Sequence, residues 1–159
     1  MHRNQALVVQ AVVLLTSLSY GAVPAARKFS GESAVELAAK LTAFGPRPAG
    51  SDAHARMEGF IESKLKSFGC KAVADVWTAQ TPAGPKRMKN ILVKIAGVSG
   101  KPVVLTGHYD TKAMPGITFV GANDGGSSAA ILLEFARVLC GTKSRNDLWL
   151  AWLDGEEAV

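Results

Sequence analysis

The sequence predicts an α/β fold, and three observations carry that prediction. Amphipathic stretches and short apolar runs follow one another as helix, helix, strand, strand, strand, helix, strand. Two late runs, PVVLT at 102–106 and DLWLAWL at 147–153, read as strands buried on both faces, and a helix separates them. Three polar knots, GHYD, GAND and DGEE, stand where such elements end or begin. Ligands of open α/β sheets bind outside the carboxyl ends of the strands. The knots are therefore expected to meet at one rim of the sheet.

Residues 30–44 form the first expected helix, capped by Ser30 or Ser33, with Val35, Leu37, Leu41 and Phe44 at helical spacing. GPRPAGS at 45–51 breaks it with prolines and glycines. Ser51 or Asp52 caps a second helix to about Phe68, whose apolar face is Met57, Phe60, Ile61, Leu65 and Phe68. His54, on its first turn and far in sequence from other ligand types, is expected at the surface. Residues 71–78 and 90–96 read as strands, with TPAGPKRM between them as a turn-rich connector. A third helix starts at Gly125 or Gly126 and runs to Leu139. No internal repeat or low-complexity segment is visible.

The chain of 159 residues is at most one domain. Residues 1–26 read as a signal peptide: His2 and Arg3, an apolar stretch at 6–18, then small residues with a cut after Ala25 or Ala26. The apolar stretch is short for a membrane span, which needs about 20 residues. Export without stable membrane association is the expectation, with residues 27–159 as the folded part. The formal net charge is +5, and removing Arg3 lowers it by one. The basic residues, among them Lys64, Lys66, Arg87, Lys94, Lys101 and Lys143, are scattered. A nucleic-acid surface needs a clustered basic stripe, so that class is excluded. Cys70 and Cys140 follow different helices; they either pair or stay as two small buried residues. Their spacing does not suit a thiolate zinc site.

Imidazole and carboxylate are zinc ligands, and a catalytic ion keeps one position open. His108, Asp124, Glu156 and Glu157 are the candidates. Glu156 and Glu157 are adjacent at a strand end, so their side chains diverge: one can bind metal while the other carries a proton. Asp110, two residues beyond His108, can hold the imidazole from behind. GANDGGSS lacks the endings of a phosphate loop, and Ser127 and Ser128 lack the context of a nucleophile elbow.

From GPRPAGS through TPAGPKRMKNI, VVLTGHYD, FVGAND and LLEFARVL to LDGEEA, the chain resembles the zinc-dependent aminopeptidase and glutaminyl-peptide cyclotransferase superfamily. The resemblance implies a zinc exopeptidase fold: a mixed, mostly parallel sheet flanked by helices, here cut short at the C-terminus. It implies Asp124 and Glu157 as zinc ligands and Glu156 as general acid/base. His108 is implied as a ligand only where two zinc ions bind. FVGA before Asp124, the TPAG connector and DGEEA lean toward the cyclases. The aminopeptidases more often show Asp-Asn-Ala-Ser-Gly where this chain has Asp124-Gly125-Gly126-Ser127-Ser128. The substrates implied are peptide or protein N-termini. The alternatives are an aminopeptidase and a non-catalytic binding module of the same fold. The family's remaining ligands lie beyond Val159, so the 159-residue chain alone is expected to bind zinc weakly and turn over little. Peptide identity and oligomeric state are left open.

Overall fold

The computed structural model describes residues 27–157, and the inferred signal peptide at 1–26 lies outside the described residues. The elements are α1 (Gly31–Thr42), α2 (Asp52–Ser67), β1 (Ala72–Thr81), β2 (Gly84–Ile95), β3 (Pro102–His108), α3 (Ser128–Leu139) and β4 (Asp147–Leu153). A kinked turn, Ala122–Ser127, with non-helical backbone at Asp124 and Gly125, leads into α3. Among the described residues, no helix is long and apolar enough to cross a membrane.

Side-chain caps set the starts of the first two helices. Ser30 Oγ accepts from Ser33 N at 3.2 Å, and Ser51 Oγ accepts from His54 N at 3.2 Å. Helix α1 buries Ala34, Leu37 and Leu41. Val35 was expected inside but is 70% exposed, because it falls beside the stripe those three residues define. Helix α2 buries Met57, Ile61 and Leu65 as expected, and His54 and Glu58 with them.

The region read as a connector is instead the tip and second arm of a long hairpin. Thr81 pairs with Gly84, leaving Pro82 and Ala83 as a two-residue turn. Proline fixes its own backbone for such a turn, and Gly84 takes φ 92°. Strand β2 then runs on because Met88 has a place in the core, only 4% exposed. Pro85 is tolerated because β4 pairs with β2 only from Ile91 to Ile95.

The sheet order is β1-β2-β4-β3. It is mixed, as expected, but the parallel pairing is the minority: β3 with β4 is parallel, while β1 with β2 and β2 with β4 are antiparallel. The short hairpin forces the first antiparallel pair, and only the α3 crossover is long enough to return the chain parallel. Among the described residues β3 pairs with β4 alone, and Val103 is 41% and Val104 49% exposed. The core forms where Leu37 and Leu41 (α1), Met57, Ile61 and Leu65 (α2) and Leu132 and Leu133 (α3) meet Ile91, Val93, Leu150 and Trp152 of the sheet. Cys70 and Cys140 are paired, with Cα atoms 5.4 Å apart, joining the chain just after α2 to the end of α3.

Candidate functional site

The parallel pairing of β3 with β4 sets His108 opposite Leu153. The loops following both strands therefore leave the sheet side by side. Helix α3 is docked over the same ends: Ser128 Oγ donates to His108 O at 3.1 Å, and Trp152 Nε1 donates to Ala129 O at 3.0 Å. The turn before α3, carrying Asp124, is thus brought to the same rim.

His108 stands at the centre of the predicted group. Its Nε2 is 3.0 Å from Asp124 Oδ1, and its Nδ1 is 3.3 Å from Asp110 Oδ1 and 3.9 Å from Glu156 Oε2. Asp110 is buried, and its other oxygen accepts from Glu157 N at 3.1 Å. One carboxylate therefore holds both the imidazole and the loop that bears the two glutamates. Burial pushes the Asp110 carboxyl above its ordinary range, against the Glu157 N–H and His108. The Glu157 carboxyl is also raised, first by burial and then by the Asp124 carboxylate beside it, with Glu156 adding to the repulsion. The Asp124 and Glu156 side chains are more than half exposed, at 56% and 59%. Among the described residues, no lysine or arginine forms an ion pair with Asp124, Glu156 or Glu157.

Two glycines make this geometry possible. Gly125 takes φ 83°, and a Cβ there would sit 2.6 Å from Asp110 O and 3.2 Å from His108 Cε1. Gly155 takes φ 70° and turns the chain so that Asp154 faces inward while Glu156 is exposed. The structure thus brings together all five predicted residues: His108, Asp110, Asp124, Glu156 and Glu157. Imidazole and carboxylate are donor types that zinc accepts, and His108 Nε2 and Asp124 Oδ1 stand 3.0 Å apart with no lysine or arginine paired to Asp124 among the described residues.

A second group was missed by sequence reasoning. His54 is 1% exposed, not a surface residue. Its Nε2 is 2.7 Å from Asp154 Oδ1, its Nδ1 is 3.4 Å from Glu58 Oε1, and its ring stacks on Tyr109 with centroids 5.0 Å apart. The signal was present: His54 and Glu58 share the stripe of Met57, Ile61 and Leu65 at helical spacing. One donor atom each from His54, Glu58 and Asp154 lies within 4.8 Å of the others, the spacing a metal could use. Here, however, cations already serve the acids. Lys89 Nζ is 2.7 Å from Glu58 and 2.9 Å from Glu62, and Arg87 is 3.3 Å from Glu58. Lys89 N donates to Asp154 Oδ2 at 2.8 Å. Burial works against the Lys89 charge, yet Glu58 and Glu62 outweigh it and raise its pKa. This group is a sealed ion network.

Arg47 was missed as well. Buried within the GPRPAGS loop, it donates to Gly45 O at 2.7 Å, Val120 O at 2.9 Å and Tyr109 O at 3.2 Å. It ties the loops before Asp124 and after His108 to a single guanidinium. An arginine between two prolines in a turn-rich loop was the available cue.

A mixed sheet whose adjacent strand ends gather histidine and carboxylates defines a zinc-exopeptidase type of fold. Residues 90–159 match Peptidase family M28. The chain is 36% identical over 124 residues to the glutaminyl-peptide cyclotransferase-like protein of Mus musculus, covering 71% of this chain and 32% of that protein. The glutaminyl cyclase of an Acidobacteriales bacterium superposes with TM-score 0.76 at 35% identity, covering 94% of this chain and 50% of that one. A Zn-dependent exopeptidase from Parabacteroides distasonis superposes with TM-score 0.70 at 28% identity, covering 84% of this chain and 49% of that one. The chain resembles the zinc-dependent aminopeptidase and glutaminyl-peptide cyclotransferase superfamily and, within it, the cyclase-like branch. It spans 32% of the length of the mouse relative and 50% of the Acidobacteriales structure.

Proposed function

We propose that these residues belong to a zinc-dependent glutaminyl-peptide cyclotransferase, which converts an N-terminal glutamine to pyroglutamate with release of ammonia. The observation that carries this reading is the convergence of His108, Asp124, Glu156 and Glu157 at one rim, with Glu156 exposed and lacking a lysine or arginine partner among the described residues. Asp124 and Glu157 are the residues that would hold zinc. The chemistry the ion supplies when bound is Lewis acidity toward a carbonyl oxygen. Glu156 takes a proton from the substrate's α-amine as that nitrogen attacks the γ-amide carbon. A C–N bond forms to close the ring, the bond to the amide nitrogen breaks, and Glu156 returns the proton to the departing ammonia. Asp110 keeps His108 and the Glu157 backbone in register through its two oxygens.

A second reading is an aminopeptidase, in which Glu156 takes the proton of a water that attacks the first peptide bond. The 3.0 Å approach of His108 Nε2 to Asp124 favours it, since a histidine so placed suits a second metal. Incubating the full-length, zinc-loaded protein with a Gln-initiated peptide separates the two. Ammonia with a pyroglutamyl product is expected, and release of a free amino acid without that product overturns the cyclase reading. Export to an oxidising compartment is proposed alongside, supported by the composition of residues 1–26 and the Cys70–Cys140 bond.

A further inference from the structure

We propose that His54 and Asp154 form a positioning pair that sets where Glu156 and Glu157 stand relative to His108 and Asp124. The proposal rests on the reading of Asp124 and Glu157 as metal ligands. Asp154 opens the loop that bears both glutamates, and its two carboxylate oxygens and its N–H all have partners. Oδ1 meets His54 Nε2 at 2.7 Å, Oδ2 accepts from Lys89 N at 2.8 Å, and the Asp154 N–H donates to Asn90 Oδ1 at 3.0 Å. Immediately after it, Gly155 redirects the chain outward through its positive φ. Gly155, packed against the Met88 side chain, is the one residue between Asp154 and Glu156, and Glu157 N is held on the far side by Asp110 Oδ2, so the short loop takes its position from Asp154.

His54 also reads the other loop. Its ring lies on that of Tyr109, with an interplanar angle of 20°, and Tyr109 directly follows His108. Tyr109 is itself fixed, its hydroxyl donating to Lys89 O at 2.7 Å. One imidazole on α2 thus touches the residue after His108 and the residue that starts the glutamate loop. It gauges the separation of the two loops from behind, out of contact with substrate. Burying a charged or polar pair gains little stability over well-packed apolar side chains. What the pair supplies is direction: a hydrogen bond holds Asp154 at one orientation, which an apolar contact does not.

The test compares His54→Gln, which keeps a donor near the position of Nε2, with His54→Leu, which removes it. Ile61→Val, on the same helix and away from the loop, controls for lost stability. In the full-length protein, zinc affinity is measured by chelator competition, and amide hydrogen exchange is followed at Gly155, Glu156 and Glu157. His54→Leu is expected to weaken zinc binding by about 10–100-fold and to speed exchange at those amides. His54→Gln is expected to restore most of both, and Ile61→Val to leave both unchanged. Wild-type affinity and exchange in His54→Leu would overturn the proposal, as would equal losses in Ile61→Val. Should His54→Leu fail to fold, Asp154→Asn takes its place, with the same outcomes deciding. Failure of the wild-type protein to bind zinc counts against the ligand assignment alone, and the exchange comparison still decides for or against the pair.

Discussion

The sealed group of His54, Glu58 and Asp154 and the open group of His108, Asp124, Glu156 and Glu157 are built from the same side chains. They are close along the chain, Asp154 standing two residues before Glu156. In the sealed group Glu58 is answered by Lys89 and Arg87, Asp154 by His54 and the Lys89 backbone N–H, and almost no water reaches either acid. In the open group the acids answer one another, with His108 among them, and the Asp124 and Glu156 side chains face solvent. Donor atoms at metal spacing are thus a poor guide on their own, since the sealed group meets that criterion. What marks a site is negative charge left without a counter-ion at a place a ligand can reach.

The largest expected effect lies in the open group. Glu156→Gln in the full-length protein should lower kcat by about 10²–10⁴-fold, with zinc content unchanged by metal analysis and the melting temperature nearly so. A variant that loses its metal as well would make Glu156 a ligand. The sealed group should respond in the opposite way. Lys89→Met removes the cation between Glu58 and Glu62, and breaking a buried pair costs about 3–5 kcal/mol. Glu58 keeps Arg87 and His54, so the lower end of that range is expected in denaturant titration. A loss near zero would mean Lys89 is not what balances the group.

Gly125→Ala probes the hinge of the open group. Strain at positive φ costs about 1–3 kcal/mol, and the added methyl presses on Asp110 O and the His108 ring. Both stability and zinc affinity should fall, whereas Gly59→Ala, with open space at its Cβ, should not lower zinc affinity.

The smallest effect extends the comparison to a third acid. Glu134 is buried, paired with Arg137 at 2.6 Å and accepting from Ser30 N at 2.7 Å. The Arg137 hydrogen bond, ahead of the opposing effect of burial, holds its pKa below the ordinary carboxylate value. A carboxyl depressed in the folded state stabilises above its unfolded pKa of about 4.3 and loses that contribution as pH falls through the lower folded value. Glu134→Gln should therefore show a shallower loss of melting temperature below about pH 4.3 than the wild type. Parallel curves would show that Glu134 carries none of the acid sensitivity.

Much of the open group was legible because its residues lie at element ends, where strand and helix signals turn over. Buried β4 and the helix after Asp124 placed DGEE and GAND before any coordinates. The sealed group was hidden because the buried stripe of α2 shows itself in sequence only through its apolar members. His54 and Glu58 occupy that stripe, and their partners Lys89 and Asp154 come from distant strands that no local pattern links to α2. The connector at 81–88 became a strand because Met88 and Lys89 found long-range partners, which turn residues such as Pro82 and Pro85 do not reveal. Cys70 and Cys140 could not be paired from spacing alone, because their separation of 70 positions says nothing of distance.

That covalent link has a consequence for the molecule as a chemical object. It encloses the whole β1–β2 hairpin, whose tip at Pro82 and Ala83 is exposed. A protease cutting at that tip would leave two pieces that migrate together on a denaturing gel and separate only after a thiol reductant is added. Within the sheet the severed arms remain paired from Ala72 opposite Val93 to Thr81 opposite Gly84, so the nicked form keeps its shape and runs as the intact protein on gel filtration.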